Sequence, residues 1–119
     1  MRAFIALAVL LPLACGNARA ITIDAKALAR FDVGYARCEA RYPHMQGHRD
    51  EAWLGLWRVK ADEPTRAQLA AVRKRSDYQS EKRRAAQAAD KSASSPETSR
   101  LEQQCQALWA ETQRTTRAP

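Results

Sequence analysis

DAKALARFDVGYARCEARYP, residues 24–43, carries the clearest helical pattern in the chain. Leu28, Phe31, Tyr35, Cys38 and Tyr42 recur in it at spacings of three, four, three and four. On a helix of about 3.6 residues per turn that spacing lines them up as one apolar stripe. Asp24 stands just ahead of the stripe, where a carboxylate accepts from the free N–H groups of a first turn. Pro43 closes it, because the residue before a proline is pushed out of the helical region. The stretch predicts an amphipathic helix that must lay its stripe on other helices. Strand signals are nearly absent: the β-branched cluster Ile21-Thr22-Ile23 is short and stands alone.

The rest of the chain reads as helix with punctuation. Residues 42–48 form a connection, with Gly47 available for a turn. A second, short helix is expected from Asp50 to Val59, with Trp53, Leu56 and Trp57 on one face. Both tryptophans read as core in a chain with so few large side chains; an exposed aromatic platform is the other reading. Gly34 and Gly55 lie inside predicted helices, where each costs about 1 kcal/mol relative to alanine. Either that cost is tolerated, or the helices approach closely there. Asp62-Glu63-Pro64-Thr65 reads as a third start, with acid at the positive end of the helix dipole and proline in the first turn. Leu69 and Val72 give that helix a buried face. Tyr78 then falls almost opposite Leu69, so a break is expected near Ser76, where Ser76-Asp77-Tyr78-Gln79 fits a capping box. Residues 90–95 (DKSASS) are composed like a flexible loop. Ser95-Pro96-Glu97 restarts a helix carrying Leu101, Cys105, Leu108, Trp109 and Thr112, and residues 115–119 are expected to fray.

Ahead of this body, Met1–Ala20 has the layout of an export signal. Arg2 is followed by an uncharged run from Ala3 to Ala14, and Ala18-Arg19-Ala20 offers small residues at the two positions a signal peptidase reads. Cleavage is expected before Ile21, leaving 21–119 as one domain in the periplasm or outside the cell. A lipid anchor on Cys15 and an uncleaved membrane anchor are the alternatives; the run is about half of the roughly 20 apolar residues a span requires. Two cysteines then remain, Cys38 on the first stripe and Cys105 on the last. In an oxidising compartment they predict one disulfide joining the first and last helices. The fold expected is an all-α, small irregular bundle of four or five helices, stapled from end to end.

Removing Arg2 and Arg19 takes the formal net charge from +7 to +5. An exported cation meets phospholipid headgroups, lipopolysaccharide or acidic wall polymers rather than nucleic acid. Arg66, Arg73, Lys74, Arg75, Lys82, Arg83 and Arg84 are the candidate anion-docking cations. Only some align on a helical wheel, so a solvated collar is the competing reading. His44, Met45 and His48 are candidate ligands for a metal such as copper, against two solvated loop histidines. No Gly-rich phosphate loop, Gly-x-Ser-x-Gly elbow or His-Glu-x-x-His is present. No catalytic residue and no cofactor is expected.

Cys38, then Asp50-Glu51-Ala52-Trp53-Leu54, then Arg73-Lys74-Arg75-Ser76-Asp77-Tyr78 follow one another in an order that resembles small exported helical proteins of the lysozyme-inhibitor-like type. The Leu-Asn pair of that type's second helix and its extra cysteines are missing here, and no functional residue is carried over. The reading is an exported, non-catalytic helical binding or accessory protein of the bacterial cell envelope, acting on an envelope protein or an anionic polymer. A periplasmic metal-binding protein using His44, Met45 and His48 is the first alternative, and a small cell-wall-active enzyme the second.

Overall fold

A computed structural model describes residues 21–91 and 95–117. The expected signal segment, residues 1–20, lies outside them. The described residues are all-helical: α1 (Ala25–Arg41), a 3-10 turn (Pro43–Met45), α2 (Arg49–Leu56), α3 (Glu63–Arg73), α4 (Ser76–Lys91) and α5 (Ser95–Arg117). α1 packs along α4, and α2 packs along α5.

The local signals act as expected at three points. Asp24 caps α1, its Oδ1 accepting from the N–H groups of Lys26 (3.0 Å) and Ala27 (3.3 Å). Asp62 and Thr65 form a reciprocal capping box at the head of α3. The Thr65 N–H holds the Asp62 carboxyl below its ordinary value of 3.8. α3 ends at Arg73 and α4 begins at Ser76, so the loss of phase in the apolar stripe is a real break. Gln79 there turns back to donate its side-chain amide to the Arg73 carbonyl (2.7 Å) rather than closing a box on Ser76.

Several bounds differ from the expected ones. α2 stops at Leu56, three residues before Val59. α4 runs through Asp90 to Lys91, carried by Ala85, Ala86, Ala88 and Ala89, since alanine is the strongest helix former. Of the expected 90–95 loop, residues 92–94 lie outside the described set. α5 stays helical through Thr115 and Thr116, because Thr115 is held between its own helix and α2; residues 118–119 also lie outside.

Two clusters share the core. In the first, Ala25, Leu28, Ala29, Trp53, Leu54, Leu69 and Tyr78 are buried. In the second are Tyr35, Cys38, Met45, Ala52 and Cys105, with Leu101, Leu108 and Trp109 against them. Phe31 touches both and joins them through ring contacts to Tyr35 (5.7 Å) and Trp53 (5.2 Å). The Cys38–Cys105 disulfide lies inside the second cluster, its Cα atoms 5.6 Å apart, and ties α1 to α5.

A buried ionic group fastens the first cluster. Asp32 sits on the α1 stripe between Leu28 and Tyr35 and is almost wholly enclosed. Arg73, from the end of α3, grips it with two hydrogen bonds, Nε to Oδ2 at 2.8 Å and Nη2 to Oδ1 at 3.1 Å. Its third nitrogen, Nη1, reaches Asp50 Oδ1 on α2 at 2.7 Å. The Tyr78 hydroxyl, from α4, donates to Asp32 Oδ2. Planar guanidinium geometry suits this forked grip. Burial pushes the Arg73 pKa down, but the two carboxylates outweigh it and the net shift is upward. Arg73 therefore leaves the surface collar in which its sequence neighbours place it.

Both buried phenols resist ionisation. Burial raises the Tyr35 pKa from 10.0 to about 12, helped by the charges of Glu39 and Glu51. Burial also raises Tyr78 to about 12, with the bond to the Asp32 carboxylate adding to it. Between these two pH values the unfolded chain has lost protons that the folded chain retains. Their contribution is whole below pH 10 and is lost as the pH rises towards 12. Denaturant titrations across that window should show stability falling, and the fall should be smaller in Tyr78→Phe. An unchanged slope in that variant would contradict the burial of this phenol.

Candidate anion-binding cleft

The junction of α2 with α5 forms a cleft, and Gly55 makes it possible. A Cβ at Gly55 would stand 2.9 Å from the Glu111 carbonyl oxygen and collide with the Thr115 hydroxyl, so only glycine allows this approach. At Gly34 a Cβ would meet nothing within 4 Å, so close packing does not explain that glycine. Arg114 then reaches across from α5, its Nη2 donating to the Gly55 carbonyl at 3.2 Å.

The end of α2 turns the chain sharply. The N–H of Arg58 donates to the Gly55 carbonyl (3.1 Å) and that of Val59 to the Leu54 carbonyl (2.9 Å). This double closure, a Schellman motif, requires a left-handed residue after the cap, normally glycine. Arg58 occupies it, with φ +54°. The turn throws Trp57 outward, which corrects its expected place in the core: Trp53 is buried, but Trp57 is 62% exposed.

Arg58, Lys60, Arg66 and Arg114 line the cleft with Glu51, Gly55, Val59, Ala61, Thr115 and Thr116, around a volume of about 600 Å³. Arg66 pairs with Glu51 at 2.9 Å, and Arg114 pairs with Glu111. Arg58 has no ion-pair partner among the described residues. Lys60 acts on the nearby Asp62 carboxylate. Glu51, Glu111 and Asp62 offset three of the four cations, and all four cations are exposed, so the cleft carries a modest surplus of positive charge centred on Arg58.

Arg58 is a residue held where glycine would be easier, and such strain gathers at functional positions. A left-handed L-residue costs about 1–2 kcal/mol, while glycine loses about 0.5–1 kcal/mol in backbone entropy. Arg58→Gly should therefore raise stability by about 0.5 kcal/mol on these two terms. The same variant should bind anions less well. Urea unfolding and calorimetry on one preparation check both. A variant that is less stable would contradict the strain assigned to this turn.

The basic collar does not assemble into one site. Arg66 lines the cleft, and Arg73 is enclosed by Asp32 and Asp50. Arg75 pairs with Asp77 at 2.8 Å, and Arg84 lies 3.8 Å from Glu81. Lys74, Lys82 and Arg83 are exposed. Arg30 shares Glu81 from the neighbouring helix at 3.0 Å.

His44, Met45 and His48 all lie near Trp109. Both imidazoles meet Trp109 edge-on, at 4.7 and 5.5 Å between ring centres. Met45 is buried, and its carbonyl accepts from the Tyr35 hydroxyl at 2.8 Å. Among the described residues, no group of three or more His, Cys, Asp or Glu side chains is placed to hold a metal ion.

Sequence reading missed Glu51, Arg58, Lys60 and Arg114 as one group. Gly55 inside a short helix was the available signal of close approach. The chain matches no family model, no curated protein and no solved structure.

Proposed function

We propose that this chain is an exported, non-catalytic binding protein of the bacterial cell envelope, and that its cleft holds an anionic group of an envelope component. The observation that carries the reading is the convergence of Arg58, Lys60, Arg66 and Arg114 on one cleft of about 600 Å³. Four separate segments supply these residues: the turn after α2, the strand-less approach to α3, α3 itself and α5. The Thr115 and Thr116 hydroxyls on the same wall are already donated to the Glu111 and Gln113 carbonyls (2.9 and 3.0 Å), so the cations carry the recognition. Export is supported by the Met1–Ala20 pattern and by the disulfide, which persists in oxidising compartments. None of the described helices is long and apolar enough to cross a membrane.

Inorganic pyrophosphate is a suitable soluble probe. Calorimetry at low ionic strength should detect its binding. Joint replacement Arg58→Gln and Lys60→Gln should weaken it by about tenfold or more, the effect expected from charge-assisted contacts of about 1.5–3 kcal/mol. Joint replacement Lys82→Gln and Arg83→Gln should change it little, because neither residue lines the cleft and charges beyond about 8–10 Å are screened. The opposite ranking would place the site on α4 and refute the cleft.

A further inference from the structure

Beside the cleft, the end of α2 exposes two consecutive large apolar side chains. Leu56 is 46% and Trp57 62% exposed, and Arg58 and Lys60 follow directly. One side of the Trp57 ring rests on buried Trp53, with ring centres 5.7 Å apart. A smaller cavity of about 250 Å³ lies against the two tryptophans, lined mainly by Ile21, Ile23, Trp53, Leu54, Trp57 and Val59. Val59 lines both this apolar cavity and the cationic cleft. A cationic cleft and a smaller, mainly apolar cavity thus share a wall.

We propose that this surface docks on an anionic lipid bilayer. Leu56 and Trp57 enter the interfacial layer, and Arg58, Lys60 and the cleft receive lipid phosphates. The proposal rests on the reading of the cleft as an anion site and names the source of the anion. Three observations favour a bilayer. Tryptophan settles at the headgroup level, where its ring is apolar and its N–H stays wet. Cations immediately beside it meet the negative potential of anionic lipids. Two exposed apolar residues fall far short of the roughly 800 Å² per partner that a stable protein interface buries. They suffice for surface docking, in which one small apolar anchor and one basic patch act together. A free phosphate would leave Leu56, Trp57 and the apolar cavity unused.

The test uses the exported chain with vesicles of phosphatidylcholine alone and of phosphatidylcholine with phosphatidylglycerol, the acyl chains brominated in a parallel set. The protein should co-sediment with the phosphatidylglycerol vesicles, and brominated chains should quench its tryptophan fluorescence. Trp57→Ser should abolish the quenching and weaken partitioning by about tenfold. Leu56→Ser should weaken partitioning without abolishing quenching. Both variants should keep the wild-type helical circular dichroism and the wild-type affinity for pyrophosphate. If pyrophosphate binds but vesicles do not, or if quenching survives Trp57→Ser, the lipid proposal falls and the cleft reading stands. If wild type binds neither probe, both fall.

Discussion

Arg73→Met should destabilise the fold by about 3–5 kcal/mol, because it leaves buried carboxylate charge without its partner. Asp32 is enclosed on α1, and Arg73 supplies two of its hydrogen bonds while also holding Asp50 on α2. With Tyr78 from α4, the guanidinium connects four helices through one point. Against a usual total of about 5–15 kcal/mol, such a loss would leave much of the population unfolded. Asp32→Asn removes the charge but keeps an acceptor for the Tyr78 hydroxyl. The double variant, Asp32→Asn with Arg73→Met, should therefore be more stable than Arg73→Met alone. Urea denaturation of the four proteins gives the coupling directly. Additive losses would show that the pair makes no mutual contribution.

Reduction of Cys38–Cys105 should have an effect of similar size. The bond spans 67 positions. Closing a loop of that length removes chain entropy worth about 4 kcal/mol on the loop-closure relation. For a domain of this size the midpoint of thermal unfolding should drop by about 15–30 °C. The core explains why so much rests on one bond: Leu28, Leu54 and Leu69 are the only leucines fully buried among the described residues. Scanning calorimetry with and without reductant, and on Cys105→Ala, checks it. Reduced and oxidised protein melting together would show that noncovalent packing of α1, α2 and α5 is enough.

Local chemistry made much of the fold legible. The α1 stripe, its Asp24 cap, the helix start at Asp62 and the break before Ser76 depend on residues within a few positions of each other. The disulfide was legible because Cys38 and Cys105 lie on two separate apolar stripes. Asp32 also left a trace, as an acid at helical spacing between Leu28 and Tyr35. Its partner did not, because Arg73 sits 41 positions away, inside a run of three cations that reads as solvated surface. The site was least legible. The outward turn of Trp57 depends on Arg58 adopting a left-handed conformation that its side chain disfavours. The cleft itself exists only once Gly55 admits α5, and α5 starts some 40 residues further on.

Whether the cleft between α2 and α5 holds an anion can be read by nuclear magnetic resonance titration of the isotope-labelled chain with pyrophosphate, at low and then physiological salt. The Gly55, Arg58, Lys60 and Arg114 amides should shift saturably, fit one affinity and keep shifting, more weakly, at the higher salt. Shifts spread over Lys74, Lys82 and Arg83 that vanish together as salt is added would contradict this, leaving a diffuse basic surface in place of a built site.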